Sequence, residues 1–357
     1  MKIIAEAGVN HNGSLETAKK MVDAAKEAGA DYIKFQTFHV HSLVTPQCEA
    51  ADYQKENAGA TSQGEMLKKL ELTFDDFKDL KAYCDAKGIG FLSTAFDEES
   101  VDFIASLNPD YIKVPSGELT NLPFLRQMAS KGIPVIISTG MATPDEIAKA
   151  LKPFLKAGYR ENDIILLHCT TQYPTPMEDV NLLAMQTVSQ NFGHPAGYSD
   201  HTLGIEVPIA AATLGAVVVE KHFTLDRNME GPDHKASLEP AELALMVNSI
   251  RNIEKALGNG VKEVKDSERA NITAARRSIV AARDIKQGET ILEEDLKAKR
   301  PATGLSPMLW DKVIGSKAIR DFKKDELIEI EEGSNSLLSG ITSFKLSNLN
   351  PFSGFNE

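Results

Sequence analysis

A helical stretch, a glycine and a short apolar run recur in that order along the first two-thirds of the chain. "KEAGADYIKFQ", "DAKGIGFLSTAF", "SKGIPVIISTG" and "TLGAVVVEKH" all show it. Gly29, Gly88, Gly132 and Gly215 stand where a helix can close in the left-handed region. The β-branched and aromatic run after each has the unbroken apolar character of a strand covered on both faces. The first helix is marked by Ser14 as a candidate N-cap, followed by Leu15, Ala18, Met21, Val22, Ala25 and Ala28 on one face. Eight runs read as strands, at 2–6, 31–36, 89–93, 110–114, 133–138, 163–169, 195–199 and 216–221. Helical patterns lie between most of them, including 143–156 and 204–214, and one more follows at 239–257. Eight parallel strands with crossover helices predict an α/β fold, a (β/α)8 TIM barrel. A doubly wound open sheet is the alternative, but "EAGVNHNGS" after the first strand has no G-x-G-x-x-G phosphate turn.

The barrel is expected over 1–262, and the polar, charged stretch 263–277 reads as a linker with some helix. A compact β-rich module follows at 278–332, where short alternating strands surround a "KQGE" turn. Residues 333–357, rich in Ser and Asn without a period, are expected to form a flexible tail. Across the 357 residues, 39 Lys and Arg face 51 Asp and Glu, a net charge of −12 that argues against nucleic-acid or anionic-membrane partners. Cys48, Cys84 and Cys169 are too few and scattered for a disulfide framework or a zinc cluster. "MKIIAEAGVN" lacks a signal-peptide core and no run has membrane-spanning length, so a cytoplasmic protein is expected.

Barrel active sites lie at the carboxyl ends of the strands, and here every end supplies polar chemistry. Lys34 and Lys113, with the hydroxyls of Thr94, Ser116 and Ser138, suit a small, highly charged anion such as a phosphate or carboxylate; lysines lying along the barrel rim are the plainer reading. His201 and His222 end the seventh and eighth strands. Neighbouring strands run about 4.8 Å apart, so the two imidazoles can share a metal ion with positions left open for water and substrate. Glu6, between Ile4 and Ala7, is a carboxylate in an apolar strand, either paired with a lysine or poised for proton transfer.

Together, "AEAGVNHNGS", "IKFQTF", "KVPSGELTN", "ISTGM", "LHCTTQYPTP", "GYSDHTLGI", "EKHFTLD" and "GPDHKAS" resemble the sialic acid (N-acetylneuraminate) synthase family. "RSIVAARDIKQGE" and "KRPATGLSP" are similar to its antifreeze-like (SAF) domain, so the resemblance spans residues 1 to about 332. It implies condensation of phosphoenolpyruvate with the open-chain aldehyde of an N-acetylated hexose, with water added and phosphate lost through C–O cleavage. On this resemblance His201 and His222 match the metal ligands, with Mn2+ the expected ion and Mg2+ or Co2+ possible substitutes. Glu6 matches the catalytic carboxylate that manages the attacking water. Lys34, Thr94, Lys113, Ser116, Ser138, Tyr173 and Ser199 match the phosphoenolpyruvate pocket, and Thr171 stands in it where some members have Asn. Gln36, Glu118, Asp200 and Asp233 fall in motifs that contact or orient the sugar and metal-held water. Arg300 matches an arginine that the small domain of a neighbouring subunit delivers, which implies a domain-swapped homodimer.

Ala95 stands where proline is common, and with Thr171 it leaves the choice of sugar open. N-acetylmannosamine, giving N-acetylneuraminate, is the first expectation, and a 2,4-diacetamido-trideoxy hexose leading to legionaminate is the alternative. A lysine Schiff-base aldolase using Lys34 or Lys113 is the more distant rival. An ice-binding module is disfavoured, because "DIKQGETILEEDLKAKRP" is too charged for a flat hydroxyl array.

Overall fold

A computed structural model describes residues 1–45, 47–49 and 62–331, and the predicted tail at 333–357 lies outside the described residues. The eight strands are β1 (Lys2–Gly8), β2 (Tyr32–Thr37), β3 (Gly90–Ala95), β4 (Ile112–Val114), β5 (Val135–Ser138), β6 (Ile164–His168), β7 (Ala196–Asp200) and β8 (Val218–His222). They pair in sequence order and close into a parallel barrel, with β8 returning to β1. Between and after them run α1 (Leu15–Glu27), α2 (Phe74–Lys87), α3 (Glu98–Ser106), α4 (Leu122–Ser130), α5 (Pro144–Lys156), α6 (Ala184–Phe192), α7 (Glu206–Thr213) and α8 (Pro240–Leu257).

The helix signals work as the chemistry requires. Ser14 Oγ accepts from the Thr17 amide at 3.2 Å, and Ala18, Met21, Val22 and Ala25 face the core. Gly29, Gly88, Gly132 and Gly215 all take positive φ, between 67° and 92°.

Strand pleating sorts the core into two layers. Residues pointing outward join the helices in one large apolar cluster that includes Ile3, Ile33, Phe35, Val114 and Val219. Residues pointing inward form a separate plug of Ile4, Tyr32, Leu92, Ile136, Leu167 and Val218. Gly90 leaves room for the Tyr32 ring, since a Cβ there would lie 2.2 Å from it. The next inward side chains beyond this plug include Glu6, Lys34, Thr94, Lys113 and Glu220, which fixes the height of the polar site.

The chain divides into two compact units after Gly260. The second contains α9 (Asp266–Ala275), within the stretch read as a linker, and an antiparallel pair, β9 (Ser278–Ala281) with β10 (Leu296–Lys299). Its own core packs Ile279, Ile285, Ile291, Leu296, Val313 and Phe322, while Arg300 is exposed. Among the described residues no helix is long and apolar enough to cross a membrane.

Candidate active site

Register brings the strand-end chemistry together. Glu6 is the Cα partner of both Lys34 and His222, Gln36 of Thr94, Thr94 of Lys113, and Ser199 of Glu220. A one-residue slip in any pairing would turn these side chains to the helical layer. Two buried lysines and two buried glutamates meet at the barrel centre. Lys34 Nζ lies 3.1 Å from Glu6 Oε2 and 3.4 Å from Glu220 Oε2, and Lys113 Nζ lies 3.9 Å from Glu220 Oε1. Hydroxyls complete the network: Lys34 donates to Thr94 Oγ1 at 3.1 Å, Lys113 to Ser138 Oγ at 2.6 Å, and Ser199 Oγ to Glu220 Oε1 at 3.0 Å.

The two carboxyls are driven apart. Burial, with Glu220 nearby, raises Glu6 to about 7 despite the opposing pull of Lys34. Burial also opposes ionisation of Glu220, but Lys113 and Lys34 outweigh it and hold that carboxyl at about 2. Burial lowers Lys113, whereas on Lys34 the attraction of Glu220 and Glu6 overcomes burial and the net shift is upward. Glu220 is therefore the fixed anion that organises the lysines, and Glu6 is a carboxyl able to exchange a proton near neutrality.

Beside this quartet, the His201 and His222 ring centroids are 5.4 Å apart. His201 Nδ1 donates to the Thr170 carbonyl at 2.6 Å, which fixes the tautomer and leaves Nε2 with its lone pair. Among the described residues His222 Nδ1, which is buried, has no hydrogen-bond partner. Burial lowers both imidazoles, His201 to about 4 and His222 well below its ordinary value, so both are neutral. Two neutral imidazoles with a bare ring nitrogen fit a divalent cation. Among the described residues no group of three or more His, Cys, Asp or Glu is placed to hold a metal. A cation between the histidines would take its remaining ligands from water and substrate oxygens. The Tyr173 ring packs 4.2 Å from that of His201 and 5.8 Å from that of His222.

A cavity of about 780 Å³ opens over these groups. Of the residues expected from sequence, Glu6, Lys34, Gln36, Thr94, Lys113 and Ser116 line it. Ser138, Thr171, Tyr173, Ser199, His201, His222 and Asp233 line it as well. Asp233 is pushed up to about 6 by burial alone.

Two expected residues stand elsewhere in the barrel unit. Asp200 follows Ser199 on β7, so it points to the opposite face. There it pairs with the fully buried Lys221 at 2.5 Å and accepts from Thr202. Glu118, on the turn after β4, accepts from Asn121 Nδ2 at 2.7 Å and is not among the lining residues. Arg300 belongs to the second unit.

Glu220 was given no role from sequence; its spacing of two from His222 was the signal that both face inward. It also missed a clamp between loops. Asn12 donates to the Glu230 carbonyl at 2.9 Å, and its Oδ1 lies 3.2 Å from His234 Nε2. Asn10 Nδ2 donates to the Phe223 carbonyl and to Ser237 Oγ, which in turn donates to the Asp233 carbonyl at 2.7 Å. Asp233 is thus held in the cavity wall from the loop after β1.

Comparison with known proteins gives the site its context. The NeuB family profile matches residues 21–262, and a SAF domain profile matches residues 276–331. An N,N'-diacetyllegionaminic acid synthase of Campylobacter jejuni is 49% identical over 91% of this chain and 98% of its own. The human N-acetylneuraminate-9-phosphate synthase is 37% identical over 91% of this chain and 90% of its own. A crystal structure of an N-acetylneuraminic acid (sialic acid) synthetase from Leptospira borgpetersenii, in complex with citrate, superimposes with a TM-score of 0.65. It is 36% identical, covering 76% of this chain and 89% of that one. A matching profile across the barrel, a second across the small module and close relatives aligned almost end to end agree: the chain belongs to the NeuB family, with a C-terminal SAF domain.

Proposed function

We propose that this protein is a nonulosonic acid synthase that condenses phosphoenolpyruvate with a 2,4-diacetamido-trideoxy hexose and water to give a legionaminic acid and phosphate. The diacetamido sugar replaces N-acetylmannosamine, the first expectation, because the legionaminic acid synthase shares 49% of its aligned residues with this chain and the human sialic-acid-type synthase 37%. The observation that carries the reaction class is the quartet of Lys34, Lys113, Glu6 and Glu220 beside two neutral histidines.

Lys34 and Lys113, with Thr94, Ser116 and Ser138, hold the carboxylate and phosphate of phosphoenolpyruvate above the apolar plug. Ser199, Tyr173 and Thr171 close the pocket around it. C3 of phosphoenolpyruvate attacks the aldehyde carbon and forms the new C–C bond. Water adds at C2, and Glu6 takes one of its protons and passes it to the alkoxide left on the former aldehyde oxygen. The remaining C2 hydroxyl proton goes to the departing phosphate as C2 becomes a ketone and its C–O bond to phosphate breaks. His201 and His222 would hold a divalent metal, Mn2+ first among the candidates, which would supply Lewis-acid polarisation of the aldehyde oxygen. Gln36 and Asp233 orient the sugar, and Arg300 of a partner subunit in a domain-swapped dimer reads its far side. Phosphoenolpyruvate is a cytoplasmic metabolite, so this reading implies that compartment.

Phosphoenolpyruvate labelled with heavy oxygen at the bridging position tests the chemistry. The label is expected in the released phosphate, and release must depend on the sugar. Label retained in the organic product would contradict the C–O cleavage and the role given to Glu6.

A further inference from the structure

The cavity has two unlike sides. The lysines, glutamates and histidines occupy its floor, at the inner ends of the strands. On the other side, Val9, Phe38, Val44, Met66, Leu67 and Phe96 face the same space. These six belong to an apolar cluster separate from the barrel core, built by the turns after β1, β2 and β3 and the short helix Gln63–Lys68. Met66, Phe38 and Val9 are each buried to 4% exposure or less. Val44 and Phe96 are only partly buried, so the packed wall presents apolar surface to a cavity whose other side is charged, and an apolar part of a ligand fits there.

We propose that this wall selects the sugar, by taking the C6 methyl and the C4 acetamido methyl of a 2,4-diacetamido-trideoxy hexose. The inference rests on the synthase reading above and adds the residues that set its acceptor. N-acetylmannosamine carries hydroxyls at both carbons. Against this wall those hydroxyls lose water and find no good partner, because none of the six side chains donates and only the Met66 sulfur accepts, weakly. The effect has a ceiling: an apolar pocket rejects an analogue that merely adds hydroxyls by roughly 10- to 100-fold, not more.

The test compares kcat/KM for the two sugars at saturating phosphoenolpyruvate and Mn2+, in wild type, Met66→Gln and Val44→Thr. Glutamine is close to methionine in length, and threonine matches valine in shape, so the second variant guards against a packing failure in the first. Wild type is expected to favour the trideoxy sugar by roughly 10- to 100-fold. Each variant is expected to shrink that ratio at least threefold, through KM for the sugar, with KM for phosphoenolpyruvate unchanged. Active variants with an unaltered ratio would overturn the wall's role and leave the synthase reading standing. Wild-type protein that releases phosphate with neither sugar would overturn both.

Discussion

Glu220 and Asp200 are both buried carboxylates at the ends of adjacent strands, and each is paired with a lysine. What separates them is parity along the strand. Glu220 points inward with His222, while Asp200 and Lys221 point into the helical layer, where their pairing serves only the fold. Lys221→Met leaves Asp200 charged and unpaired, with an expected loss of about 3–5 kcal/mol. The double variant Asp200→Asn with Lys221→Met recovers most of that in thermal unfolding, and Asp200→Asn leaves KM for the sugar unchanged. Glu6→Gln keeps the shape of the quartet but cannot take a proton. Its kcat is expected to fall by roughly 100- to 10,000-fold, the usual range for losing a general base, while KM for phosphoenolpyruvate stays within about threefold.

At the scale of elements, the clamp from Asn10 and Asn12 to the loop bearing Asp233 is the feature that ties two strand ends into one wall. His234→Ala removes the contact to Asn12 and the 2.7 Å contact to Thr224. Loss of buried hydrogen bonds of this kind is worth about 1–3 kcal/mol, and KM for the sugar is expected to rise roughly tenfold with KM for phosphoenolpyruvate unaffected. Equal rises in both would assign the histidine to general stability instead. The strands and helices were legible in the sequence because burial on both faces writes the strands as mainly apolar, β-branched and aromatic runs, β5 most plainly, and glycine marks the helix ends. Most of the polar floor was legible too, since Glu6, Lys34 and Lys113 interrupt the otherwise apolar β1, β2 and β4. The placing of Asp200 was not, because "YSDH" offers three polar residues and only the pleat decides which turn inward. The clamp was illegible too: its partners are 222 residues apart and use ordinary asparagines. So was the bulge where β1 shifts register between Glu6 and Gly8, which sets Gly8 at a φ of 53° against the Glu6 and Gln36 side chains.

For the whole molecule, the barrel unit supplies the chemistry and the SAF unit carries Arg300. If Arg300 serves the neighbouring subunit, two inactive chains can complement each other. Glu6→Gln and Arg300→Ala chains, mixed under conditions that exchange subunits, are expected to regain roughly a quarter of wild-type activity, since half the dimers are mixed and each holds one intact site. Activity no greater than the sum of the two separate variants would place Arg300 within its own chain or outside the site. The central claim, that this barrel joins phosphoenolpyruvate to an acetamido sugar, is tested most directly by one assay. Protein stripped of metal is mixed with phosphoenolpyruvate and the diacetamido-trideoxy hexose, Mn2+ is restored, and phosphate release and product mass are followed together. The account predicts stoichiometric phosphate and a nine-carbon acid, only when metal and sugar are both present. Condensation that proceeds without metal and is trapped by borohydride on Lys34 or Lys113 would contradict it.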